Sequence, residues 1–199
     1  MERSERPAAR ARSQESAQAR FFRPRGSGLP RWLHLLALLA ALAAGVLAFP
    51  LLSHAVPAVG TAAPDFALKD LAGANQRLSE FQGDIVVLTF WASGCGQCRE
   101  TLADLRSVGS DGDHGTDAPV VISVNLERDA ARAASVARAI GIAYPTLLDD
   151  RQAVARLYDV SHLPLTLLLD RDGVVRRTWA RDRIPTDELL ADIRELQRQ

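Results

Sequence analysis

Apolar positions fall into three regimes along the chain. Residues 1–31 show no apolar periodicity and are rich in Arg, Ala, Ser and Pro. From Trp32 to Leu52 the chain is apolar but for His34. Beyond a short Pro/Ala stretch at 53–63, brief apolar runs alternate with amphipathic segments. Ile85–Phe90, Val120–Asn125 and Leu165–Leu169 are continuous apolar runs of strand length, as in buried strands. Phe66–Lys69 and Gln76–Leu78 read as short strands around Gly73, and Tyr144–Leu148 as extended chain. Asp172-Gly173 predicts a hairpin turn into a strand over Val174–Trp179. Helix spacing predicts one helix from Cys95 or Gln97 to about Val108. Others follow at Ala130–Ile140, ending at Gly141, and at Arg151–Tyr158. A last helix covers Thr186–Gln197, with Thr186 as N-cap after Pro185. The Gly- and Asp-dense run Gly109–Pro119 reads as a loop. This alternation, closed by a hairpin and a helix, predicts an α/β domain with a mixed sheet.

The apolar run at 32–52 changes the picture, because about 20 such residues in a helix cross a bilayer core. Residues 1–31 hold eight arginines against three glutamates, a net +5, so the rest, with 16 cations and 21 acids, is net −5. A basic tail before an apolar span places the tail in the cytoplasm and the following domain outside it. A cleavable signal peptide is the rival, with Ser53-His54-Ala55 offering cleavage after Ala55. Its apolar core is normally shorter, about 7–15 residues, which favours an uncleaved anchor. No Arg-Arg pair precedes the span to suggest twin-arginine export. The expected organisation is a disordered basic tail at 1–31, an anchor at 32–52 in membrane lipid, a linker at 53–63 and a domain at 64–199. The domain shows no basic–aromatic stripe, which argues against nucleic-acid binding.

The chain has two cysteines, Cys95 and Cys98, at the joint between the strand ending at Phe90 and the helix after it. The first lies at a helix N-terminus, where free N–H groups and the dipole favour a thiolate. The second lies about one turn on, within reach to resolve a mixed disulfide. A structural zinc site would need four ligands, and no second C-x-x-C or spaced histidine pair supplies them. A purely structural disulfide over so short a loop would constrain little chain. Dithiol–disulfide exchange is the chemistry that fits.

At these residues the chain resembles the thioredoxin fold, and more narrowly the membrane-anchored thiol:disulfide oxidoreductases of the TlpA/ResA group. Pro64-Asp65-Phe66-Ala67-Leu68, Gly73 and Leu78-Ser79-Glu80-Phe81-Gln82-Gly83 resemble that group's N-terminal hairpin extension. Phe90-Trp91-Ala92-Ser93 with both cysteines resembles its active-site approach, and Tyr158 to Thr166 its cis-proline segment. The resemblance implies a cis Leu163–Pro164 bond opposite the cysteines, with Pro164 facing the substrate and the Leu163 backbone pairing with it as an extended segment. Trp91 is either a substrate-contacting aromatic or packing. Thr89, Gln97 and His162 are candidate tuning positions. Thr89 stands where thioredoxin has a buried aspartate, and Gln97 where the group usually has proline. Thr101 and Ala103 replace the group's frequent glutamate and proline. Glu100 is one position early on the helix, a rotation of about 100°. Arg99 reads as solvated.

The resemblance further implies exported protein substrates with cysteine pairs, such as apocytochrome c or oxidase copper-site proteins. It implies a membrane electron donor of the thiol-transporter type, and neither metal nor organic cofactor. Two rivals are a Cu(I) chaperone using both thiols, with His162 as a candidate third ligand, and a thiol peroxidase. Copper chaperones on this fold generally space their cysteines by three residues, and the peroxidase expects threonine where Ala92 stands. The anchor has a direct check. The full-length chain should stay with the membrane fraction through a carbonate wash, whereas a released protein beginning at Val56 would show cleavage.

Overall fold

The computed structural model describes residues 56–110, 118–180 and 183–199, and of Gly109 and Ser110 only the backbone. The expected tail and anchor lie outside these residues. No helix of the described residues is long and apolar enough to cross a membrane. The strands are β1 (Ala67–Asp70), β2 (Asn75–Arg77), β3 (Val86–Trp91), β4 (Val120–Asn125), β5 (Thr146–Leu148), β6 (Leu165–Leu169) and β7 (Val175–Ala180). The helices are α1 (Gly96–Ser110), α2 (Ala130–Ile140), α3 (Ala153–Leu157) and α4 (Thr186–Gln197), and a 3-10 turn covers Leu78–Phe81.

The strands form one mixed sheet in the order β2-β1-β5-β4-β3-β6-β7. β3 runs parallel to β4, from Val86 opposite Val120 to Trp91 opposite Asn125, and antiparallel to β6. Side chains alternate across a strand, so the central strands feed two cores. Val86, Leu88 and Phe90 join Ile122, Val124, Leu165 and Leu167 on one face, under Val154, Ala155 and Tyr158 of the α3 segment. Ile85 and Val87 face the other side, with Leu105 and Val108 of α1 and Leu189, Ile193 and Leu196 of α4. Trp91, Cys98, Leu102 and Ala133 form a third cluster between β3, α1 and α2.

Several boundaries differ from the sequence expectation for identifiable reasons. Residues of the 53–63 linker are part of the fold. Gly60 N–H donates to the Val175 carbonyl and Ala63 N–H to that of Gly173, which binds this stretch to the β6–β7 hairpin. Thr186 is the first helical residue of α4 and Pro185 takes the cap position, with no side-chain cap. Asp187 and Glu188 in the first turn complement the helix dipole instead. α1 continues through Gly109 and Ser110, the first residues of the expected loop. The hairpin extension forms as expected, with the Asp70 carboxylate accepting from the Ala72 and Ala74 N–H groups across the turn.

Tyr158 ties the N-terminal segment to the core. Its ring is fully buried, meets Phe66 edge-on and lies 5.1 Å from Phe90 between centroids, while its hydroxyl donates to the Pro64 carbonyl. Burial pushes the phenol pKa well up, so it stays protonated as a donor. Tyr158→Phe should cost about 1 kcal/mol by urea denaturation, one hydrogen bond. Tyr158→Ala should cost about 3–5 kcal/mol by leaving a cavity.

Candidate active site

β3 delivers the chain to the site. After Trp91 it turns, with Cys95 N–H donating to the Ala92 carbonyl, and enters α1 at Gly96. Cys95 therefore occupies the N-cap position. Cys98, three residues on, points its N–H at the Cys95 sulfur at 3.0 Å. The sulfur thus satisfies one of the orphan donors of the first turn, a place normally taken by a Ser, Thr or Asp oxygen. The two cysteines are joined as a disulfide, with Cα atoms 5.2 Å apart. Cys95 is partly exposed and Cys98 fully buried against Trp91, Leu102 and Ala133. An incoming thiol or disulfide can reach the first sulfur and not the second.

The turn before Cys95 is fastened by groups that sequence reasoning did not single out. Glu127, just past β4, accepts from both the N–H and the hydroxyl of Ser93 and from the Asn125 amide. Arg132 lies 3.8 Å from its other oxygen. Burial pushes the Glu127 carboxyl up, but the Ser93 donors, Asn125 and Arg132 outweigh it and hold the group below the ordinary carboxylate range. Arg99 is exposed, as expected of a solvated side chain, yet its guanidinium also donates to the Ser93 carbonyl at 3.0 Å. Ser93 is thus gripped at N–H, hydroxyl and C=O, two residues before Cys95. The available signal was a carboxylate just after an apolar strand parallel to β3, because sites in such sheets gather at the carboxyl ends of the strands.

The remaining candidates separate. The Leu163–Pro164 peptide is cis, and Leu163 packs against the cluster that contains Trp91 and Cys98. Pro164 itself is buried, so the partly exposed residue of this segment beside the expected substrate face is Leu163 and not the proline ring. Trp91 has no exposed surface, so of its two readings the structure supports packing, and its indole N–H has no partner among the described residues. Thr89 is buried on β3 and shares a hydrogen bond of 2.8 Å with Thr166, its antiparallel neighbour on β6. Two hydroxyls satisfying each other thus occupy the buried position that the sequence reading singled out as lacking a carboxylate. Gln97 is exposed on the first turn of α1, and His162 is exposed with its ring Nδ1 hydrogen-bonded to Ser161. Glu100 is exposed, while Thr101 is fully buried with its hydroxyl unpartnered. The Glu100 carboxylate therefore does not take the buried position.

The profile of the AhpC/TSA family matches residues 59–178. The thiol-disulfide oxidoreductase ResA of Geobacillus thermodenitrificans is 31% identical over 147 residues, spanning 74% of this chain and 83% of that protein. A crystal structure assigned as the thiol:disulfide interchange protein DsbE of Chlorobium tepidum superposes with a TM-score of 0.62 at 29% identity. It covers 70% of this chain and 96% of its own. A secreted thiol-disulfide isomerase of Corynebacterium glutamicum gives 0.60 at 25% identity, over 68% and 85% of the two chains.

The grip on Ser93 has a pH signature. Because the Glu127 carboxyl is lowered on folding, its contribution is present above the ordinary carboxylate range and is lost as pH falls through the lowered value. Glu127→Ala should cost about 1–3 kcal/mol at neutral pH and should flatten this part of the acid limb, read by urea denaturation across pH. An acid limb unchanged in the variant would remove Glu127 from this role.

Proposed function

The chain belongs to the AhpC/TSA family as a thiol-disulfide oxidoreductase of the ResA type, and from that premise we propose that it exchanges disulfides with exported proteins from the outer face of the cytoplasmic membrane. The observation that carries the chemistry is the N-capping sulfur, one exposed cysteine with a helix N–H aimed at it and a buried partner one turn away. In the reduced protein the same N–H and the helix dipole stabilise a Cys95 thiolate. That thiolate attacks a substrate disulfide. One Cys95–substrate bond forms, the substrate S–S bond breaks, and one substrate thiolate leaves. The Cys98 sulfur, once deprotonated, attacks Cys95 and expels the second substrate thiolate. Two electrons pass to the substrate and the Cys95–Cys98 bond is restored. The reverse direction begins with a substrate thiolate on Cys95.

The substrates proposed are cysteine pairs of exported proteins, with apocytochrome c and oxidase copper-site proteins as the leading classes. Reduction in an oxidising compartment requires a membrane electron donor of the thiol-transporter type. The cycle itself uses no metal or organic cofactor. Support for the setting comes from the arginine bias before the apolar run at 32–52. The Leu163 backbone beside the cysteine cluster offers strand-like pairing to an extended substrate. A Cu(I) reading would rest on the two sulfurs alone. Among the described residues no group of three or more His, Cys, Asp or Glu side chains is placed to hold a metal.

Single mutants separate the two sulfurs. Cys98→Ala should accumulate mixed disulfides through Cys95, and Cys95→Ala should trap little. Alkylation of each mutant against pH should give Cys95 the lower thiol pKa. Faster alkylation of Cys98 at neutral pH would reverse the roles.

A further inference from the structure

A groove of about 500 Å³ opens at the carboxyl ends of β4 and β5, between the β1–β2 hairpin and the start of α2. Two of its lining residues reach the elements that mount the cysteines. Leu148 packs against the cluster that holds Trp91 and Cys98, and Glu127 grips Ser93. Three exposed cations stand along the groove: Lys69 on β1, Arg128 after β4 and Arg151 after β5. None of the three side chains has an ion-pair or hydrogen-bond partner among the described residues. Six other arginines among the described residues, at 77, 132, 176, 177, 183 and 198, are each paired with an acid, while Arg138, Arg156 and Arg194 stand singly and away from this groove. Asp150 is the one further acid in the lining, and the charge of Glu127 is committed to Ser93, Asn125 and Arg132. This excess of positive charge lies in the part of the chain whose net charge is −5, from 16 cations and 21 acids beyond residue 31.

We propose that this groove receives an acidic stretch of polypeptide next to the substrate's cysteine pair, so that the enzyme selects substrates by the charge flanking their cysteines. The inference rests on the exchange activity proposed above and names what that site prefers. Guanidinium forks take carboxylates in a bidentate grip, and Lys69 adds a point charge from β1. Unpaired cations beside a reacting group also raise the rate of encounter with an oppositely charged partner, an effect that salt removes. A polypeptide fits better than a lipid surface because the cations line a concave groove and not a flat face.

The test uses the full-length protein and peptides with one internal disulfide flanked by acidic, amide or basic residues. The parent protein should prefer acidic over basic flanks in kcat/KM by on the order of tenfold at low salt. The preference should shrink as salt rises. R128E/R151E should invert the order, which misfolding would not do, and R128Q/R151Q should abolish it. An unchanged order in the charge-reversed protein, or no preference in the parent, would overturn the groove. So would binding to phosphatidylglycerol vesicles that the reversal abolishes while peptide preference stays intact. Failure of the parent to exchange even with hydroxyethyl disulfide would instead overturn the exchange reading, and the groove with it. Exchange with that reagent but no peptide discrimination would overturn the groove alone.

Discussion

Strand β3 is hydrogen-bonded along both edges, to β4 and β6, and all six of its residues are buried. A slip of one residue would exchange its two faces, moving Val86, Leu88 and Phe90 out of one core and Val87 and Trp91 out of the others. Register is therefore set by packing on both sides at once. The end of the strand inherits that precision, and four residues after Trp91 the chain presents Cys95. The single polar residue of the strand, Thr89, is satisfied by Thr166 across the sheet, so no buried hydroxyl is left open there.

What the sequence made legible follows from how local each signal is. The apolar runs at β3, β4 and β6 and the periodicity of α1 and α2 are read within one element, and they match the structure to within a residue or two. The Asp172-Gly173 turn was readable because Gly173 supplies the positive φ of 73° that such a turn requires. The cap of α4 was misplaced by one residue because threonine is the better capping side chain, while the backbone put Pro185 there. Residues 60–63 carry no strand pattern, since their pairing depends on where the β6–β7 hairpin lies more than 100 positions away.

The site divides in the same manner. Cys95 and Cys98 declare themselves by spacing and context. The carboxylate that steadies the approach to them does not, because Glu127 and Ser93 are 34 positions apart and meet only through the parallel pairing of β3 with β4. Burial is also invisible in spacing. Cys98 stands between exposed Gln97 and Arg99 in the sequence, yet it is fully buried with Trp91 in the cluster between β3, α1 and α2. The same carboxylate is one wall of the cationic groove, so one residue borders both the sulfur's mounting and the surface where a partner's charge would be read.

The capping sulfur has a consequence for the stability of the two redox states. Reduction removes a covalent closure of a very short loop, which constrains the unfolded chain only weakly. At the same moment a thiolate on Cys95 turns the bond from Cys98 N–H into a charge-assisted one, about twice as strong as its neutral counterpart. The two changes act at the same first turn and in opposite directions. Part of the constraint lost with the covalent bond is thereby returned to the same turn as a stronger hydrogen bond.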